Sequence, residues 1–125
     1  MRVTSGKIGQ LKDLLGKVTQ NPDVRGSLVI SKTGLVIAAN IKDKIQQETF
    51  AAMVATMLGA GTAALQEFDK GEPNYMLAVV ADGTLIAMDS GPKAILVTMM
   101  GTAQGVDKVL EIMRNVRDEV KELVR

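Results

Sequence analysis

Apolar residues recur along this chain at helical spacing, then at strand spacing, and the two alternate to the end. Ile8, Leu11, Leu14, Leu15 and Val18 fall three and four apart, with Lys7, Lys12, Asp13 and Lys17 off that stripe. This predicts an amphipathic helix, with Thr4 or Ser5 placed to cap it. Asn21-Pro22-Asp23 ends it, because proline disfavours helical geometry in the residue before it. From about Arg25 to Asn40, two apolar runs flank the polar break Lys32-Thr33-Gly34, the pattern of a β-hairpin. Phe50, Val54, Met57, Gly61, Leu65 and Phe68 then keep helical spacing until Gly71 and Pro73, which are termination signals. Tyr75 to Ala81 and Thr84 to Asp89 predict a second hairpin about Asp82-Gly83, a strong two-residue turn signal. Ser90-Gly91-Pro92 makes another turn, and Lys93 to Met100 reads as a fifth strand. From about Gln104, Val106, Val109, Leu110, Met113, Val116, Val120, Leu123 and Val124 form the stripe of a last helix. Its other face is charged, and Arg114 and Asp118, four apart, are placed to pair, for only ~0.3 kcal/mol.

The predicted order is α-β-β-α-β-β-β-α, within a single α/β domain covering residues 1–125. Short connections between the strands make the sheet mainly antiparallel. All five strands are apolar on both faces, whereas a sheet with one wet face alternates cleanly. Helices of this chain or a partner must therefore cover both sides. Two hairpins of loosely similar pattern are too few for a repeat architecture.

The central helix departs from the usual surface pattern. Between Glu48 and Glu67 it carries no charge, so a bulky apolar face is backed by a small one containing Ala52, Ala55, Thr56, Gly59 and Ala63. A helix apolar all round is normally covered on more than one side, and a second subunit would supply the second cover. Gly59 and Gly61 cost the helix about 1–2 kcal/mol relative to alanine, which calls for a packing reason such as the close approach of a neighbouring helix.

Composition narrows the chemistry. The 125 residues include no cysteine and no histidine, which excludes disulfides, thiolate nucleophiles and the serine–histidine and cysteine–histidine mechanisms. The formal net charge is +1 and the aromatics number three, too balanced and too few for an electrostatic or stacking platform for nucleic acid. The first residues show no apolar signal segment, and no uninterrupted apolar run reaches membrane-spanning length. The expectation is a soluble cytoplasmic protein. Its eight methionines suit core filling and adaptable surfaces.

Candidate motifs are weak. Gly59-Ala60-Gly61-Thr62-Ala63-Ala64 fits a dinucleotide-binding pattern, but that chemistry needs glycines at a strand-to-helix turn, with amides free to meet a pyrophosphate. Here they fall within a helical pattern. Asp82, Asp89, Asp69 and Glu72 do not form the dense oxygen cluster that a hard cation needs, and no phosphate-cradling G-x-x-x-x-G-K-[ST] motif occurs. Arg114 and Arg117 read as part of a solvated helix face rather than as transition-state cations. Lys42, Asp43 and Lys44, entering the central helix, are candidates for the ionic rim of a binding surface.

The first hairpin, GSLVISKTGLVIAAN, the small-residue helix ETFAAMVATMLGAGTAAL, the second hairpin YMLAVVADGTLIAMDSG and the run AILVTMMGTAQGVDKVLEIMRNV together resemble the roadblock / dynein light chain family. The resemblance covers nearly the whole chain; its one departure is Lys-Thr-Gly in the first turn, where Asp-Gly is common. It implies a profilin-like sandwich: a five-stranded antiparallel sheet, the central helix on one face and the terminal helices on the other. It further implies homodimers or heterodimers with paired central helices and sheets joined edge to edge along Tyr75 to Ala81. Tyr75, Leu77 and Val79 then join the small helix face at the interface. The implied role is non-catalytic, with no cofactor or metal: a regulator of a small Ras-like GTPase, alternatively an assembly scaffold or a small-ligand sensor.

Overall fold

A computed structural model describes residues 3–125. Thr4 caps the first helix, its hydroxyl accepting from the Lys7 amide at 3.3 Å, and α1 runs Ser5–Thr19. The Asn21 side chain accepts from the Asp23 amide at 2.9 Å, turning the chain out of the helix. There follow β1 (Val24–Ile30), β2 (Val36–Ile41), α2 (Gln47–Gln66), β3 (Tyr75–Val80), β4 (Gly83–Asp89), β5 (Ile95–Met100) and α3 (Val106–Leu123). The sheet order is β2-β1-β5-β4-β3, and every neighbouring pair is antiparallel. The predicted element order and the layered sandwich are what the structure shows.

Each face of the sheet has its own core. On one, Leu11, Leu15 and Val18 of α1 and Met113, Val116 and Val120 of α3 pack on Val29, Ile86, Met88 and Leu96. On the other, α2 packs on Leu28, Ile30, Ala87, Ile95 and Val97. Each large side chain fully removed from water contributes about 1.5–3 kcal/mol before the entropy of ordering it is charged against it. β5 lies in the middle of the sheet. Beside it the buried Ser27 hydroxyl donates to the Val97 carbonyl at 2.9 Å. Having used its proton there, Ser27 accepts from the Thr98 hydroxyl at 3.1 Å, so both buried polar groups are satisfied.

Local geometry departs from the sequence expectation at three places. α2 buries Ala51, Val54, Ala55 and Leu58 against the sheet; of the bulky stripe only Val54 is buried, Phe50 and Met57 pack at the margin of that core, and Phe68 is 79% exposed. The helix is thus rotated by somewhat less than one residue step (~100°), and its small side chains let it settle close to the sheet. α2 also ends at Gln66, before Gly71 and Pro73. Asp69 takes a positive φ of 55°, and the Lys70 amide bonds back to the Leu65 carbonyl at 3.0 Å. Finally, Val80 pairs with Gly83, so the second hairpin turns on Ala81-Asp82, one residue early. Gly83 belongs to β4, where a Cβ would stand 3.0 Å from the Met99 methyl and 3.2 Å from the Met100 carbonyl oxygen.

Gly34 in the first hairpin turn has φ +93°, and a Cβ there would lie 2.8 Å from the Cα of Ala52. That turn is therefore seated directly on the α2 backbone. Gly34→Ala is expected to destabilise the fold by about 1–3 kcal/mol through left-handed backbone strain together with the clash. The shift of the denaturant midpoint at unchanged slope measures it.

Candidate interaction surface

The outer face of α2 is the least ordinary surface of the molecule. Ala52, Met53, Thr56, Gly59, Ala60, Ala63 and Ala64 are all exposed there. The Thr56 hydroxyl is turned inward, donating to the Ala52 carbonyl at 2.8 Å, so it too presents a largely apolar surface. By length and composition alone α2 meets the requirement for a membrane span, contrary to the expectation drawn from apolar run length. Its inner face, however, belongs to the core of the fold.

β3 extends this surface along the sheet edge. It pairs with β4 on one side, and the strand order places no strand on the other among the described residues. Its backbone donors and acceptors on that side stand ready for another strand. The pleat divides its side chains: Tyr75 packs with the α1/α3 core and Met76 with the α2 core. Leu77 and Val79 therefore share the α1/α3 side, while Ala78 and Val80 share the α2 side. α3 leaves Leu77 and Val79 uncovered, at 41% and 57% exposure, and Val80 stands at 58%.

The structure thus brings Ala52, Thr56, Gly59 and Ala63 to one open face and places Tyr75, Leu77 and Val79 on the adjoining edge strand. Ala55 does not join them: it is packed against the sheet, because the rotation of α2 turns it inward. The interface candidates read from the sequence left out Met53, Ala60 and Ala64, and the residues of β3 on the α2 side. The signal for the first three was the absence of charge on that side of the helix, but its angular position depended on which residues met the sheet. Gly61 also has a different role from the one expected. A Cβ there would collide with the Met76 thioether of β3, whereas one at Gly59 would meet nothing within 4 Å.

Two of the three rim candidates are engaged within the fold. Lys42 donates from Nζ to the Val24 carbonyl at 2.7 Å, and Asp43 takes both Nε and Nη2 of Arg25, at 3.2 and 2.6 Å. Lys44 is exposed beside the start of α2. The Gly59–Ala64 run lies inside α2, where backbone amides are already bonded along the helix. Asp89 pairs with Lys32, and no group of three or more potential metal ligands comes together among the described residues. Arg114 stacks over the Tyr75 ring at 5.6 Å from its centroid, holding α3 beside the start of β3.

An antiparallel sheet between one helix and two, with an open edge strand and an uncovered apolar helix beside it, defines the class: a profilin-like α/β sandwich. The chain belongs to the Roadblock/LC7 domain family, whose pattern matches residues 10–99. Among its relatives is the Methanocaldococcus jannaschii protein MJ0310, 24% identical over 108 residues, spanning 86% of this chain and 94% of that one. The gliding protein MglB of Thermus thermophilus superposes with a TM-score of 0.89 at 16% identity, over 98% of this chain and 93% of that structure. Acanthamoeba castellanii profilin II gives a TM-score of 0.61 at 11% identity, over 83% and 90% of the two chains.

Hydrogen bonding to Arg25 holds the Asp43 carboxyl below the usual carboxylate range, and the same contact raises Arg25. A carboxylate lowered in the folded state adds stability above its unfolded pKa, and that stability is lost as pH falls through the folded value. Followed by carboxyl NMR, Asp43 is expected to titrate below the ordinary aspartate value of ~3.9. Arg25→Gln should raise it toward that value.

Proposed function

We propose that two copies of this chain pair through α2 and β3, and that the resulting dimer is a non-catalytic cytoplasmic module that binds a small Ras-like GTPase. One observation carries the reading: a charge-free helix face and an unpaired edge strand lie side by side. Pairing β3 with its copy would occupy the open backbone groups and remove an aggregation hazard. It would also bring two α2 faces together, where small residues permit close contact of the helices. Membership of the Roadblock/LC7 family supports this arrangement, and the resemblance to its prokaryotic members supports a GTPase as partner. Binding would act by favouring one conformation of the GTPase switch regions over another.

A Cβ at Gly59 meets nothing within 4 Å in the single chain and the position is exposed, so a side chain there points into open space and the monomer fold is expected to persist. Gly59→Trp is expected to give a folded monomer by light scattering; a variant that remains a dimer of unchanged stability contradicts the interface. Gly59→Ala sharpens the test. An isolated α2 would gain ~1 kcal/mol from the better helix former, and a close helix pair forfeits that gain. A pull-down from native lysate, with GDP and with a non-hydrolysable GTP analogue, tests the partner. Nucleotide-dependent capture of a small GTPase is the expected result. Capture of partners regardless of nucleotide favours a scaffold instead.

A further inference from the structure

The free edge of β3 is selective about how another strand can meet it. The Asn74 carbonyl accepts from the Asp89 amide at 2.9 Å, and bonded pairs alternate with non-bonded pairs along an antiparallel ladder. Met76, Ala78 and Val80 therefore direct their backbone groups to β4, opposite Ala87, Leu85 and Gly83. Tyr75, Leu77 and Val79 direct theirs outward. This edge is bounded at both ends. Pro73 has no N–H to offer, and the chain turns away to β4 at Ala81-Asp82. What lies open is a set of three outward-facing residues, symmetric about Leu77.

From this symmetry we infer that β3 pairs with β3 of a second copy in a single register, with Leu77 opposite Leu77 on the two-fold axis. The inference rests on the dimer proposed above and fixes how its two chains meet. Residues directly opposed in an antiparallel pair point to the same side of the sheet. Both α2 helices lie on one side of the joined sheet, so Tyr75, Leu77 and Val79 must oppose one another rather than the residues between them. With Leu77 on the axis, Tyr75 faces Val79 of the second copy, and Val79 faces the second copy's Tyr75. Each bonded pair exchanges two hydrogen bonds, so the three pairs give about six. A slip of two residues keeps only two of those pairs. It brings Pro73 opposite Val79 in one direction and the turn residue Ala81 opposite Tyr75 in the other. Side-chain size selects the same register. On the α2 side Met76 faces Ala78 of the second copy, large against small, whereas the slipped registers set Met76 against Met76 or Ala78 against Ala78. Met76 has little freedom to adapt, because its thioether is packed over Gly61. The two-fold symmetry of the edge is what a second copy matches and an unrelated strand does not.

The chain contains no cysteine, so single introduced cysteines report the register directly. Bonded partners stand ~5.5 Å apart at Cα, within the roughly 4.4–6.8 Å that a disulfide spans, whereas diagonal neighbours stand ~7–8 Å apart. With oxidised glutathione, Leu77→Cys is expected to form an interchain disulfide at least ~10-fold faster than Met76→Cys or Ala78→Cys, each of which meets its own counterpart only diagonally. A mixture of Met76→Cys and Ala78→Cys chains is expected to cross-link, since those two positions oppose each other. Circular dichroism melts and light scattering establish the fold and the oligomeric state of each variant. Faster cross-linking of Met76→Cys or Ala78→Cys alone overturns the register and leaves β3 pairing in place. A dimer that cross-links at none of the three positions overturns pairing through β3 and leaves contact through α2. A folded monomer for the unaltered chain overturns the dimer itself and this inference with it.

Discussion

The architecture follows from a sheet that is apolar on both faces. Such a sheet cannot leave either side to water, so it needs two layers of cover, and this chain supplies them unequally. Two helices lie over one side and one helix over the other. A single helix does not reach across five strands, and the shortfall appears at β3, whose outer residues stand in solvent. The open surface is thus not an accident of one strand's composition. It is what remains when five apolar strands share three helices.

Much of this was legible in the periodicity. The stripes of α1 and α3 stand out because each has a charged side that fixes where the apolar side points. Leu11, Leu14, Leu15 and Val18 are buried in the one, and Val109, Leu110, Met113, Val116 and Val120 in the other. α2 is harder for the same physical reason. With no charged side between Glu48 and Glu67, nothing in the local pattern says which way the helix is turned, and side-chain size misleads. The larger residues suggest the sheet-facing stripe, whereas Ala51 and Ala55 occupy it because the first hairpin turn comes within contact distance of the helix backbone. That contact joins segments far apart in the chain and leaves no periodic trace.

The candidate surface was accordingly legible as a property of α2 and β3, but not residue by residue. Ala55 belongs to the opposite side from the one expected, and Met53 carries no signal of its own. The ionic rim was legible in composition but not in its partners. Lys42 and Asp43 have the composition of a solvated loop, yet Val24 and Arg25 draw them down onto the start of β1. Only the antiparallel pairing of β1 with β2 brings those partners within reach. Family membership supplies the fold, while the details that distinguish one member's surface from another's lie in such long-range contacts.

The central pairing of the sheet also bears on how the chain folds. β1 and β5 are neighbours, although Ser27 and Thr98, hydrogen-bonded across them, are 71 positions apart. Each hairpin can form locally, but joining them requires closing most of the chain into a loop, an entropic cost met before the contacts reward it. The β3–β4 hairpin is thus available early, with its apolar edge open, while the middle of the sheet is still unmade. An apolar edge open at that stage is exposed to intermolecular strand pairing, so protein concentration during synthesis bears on whether the chain completes its sheet or aggregates.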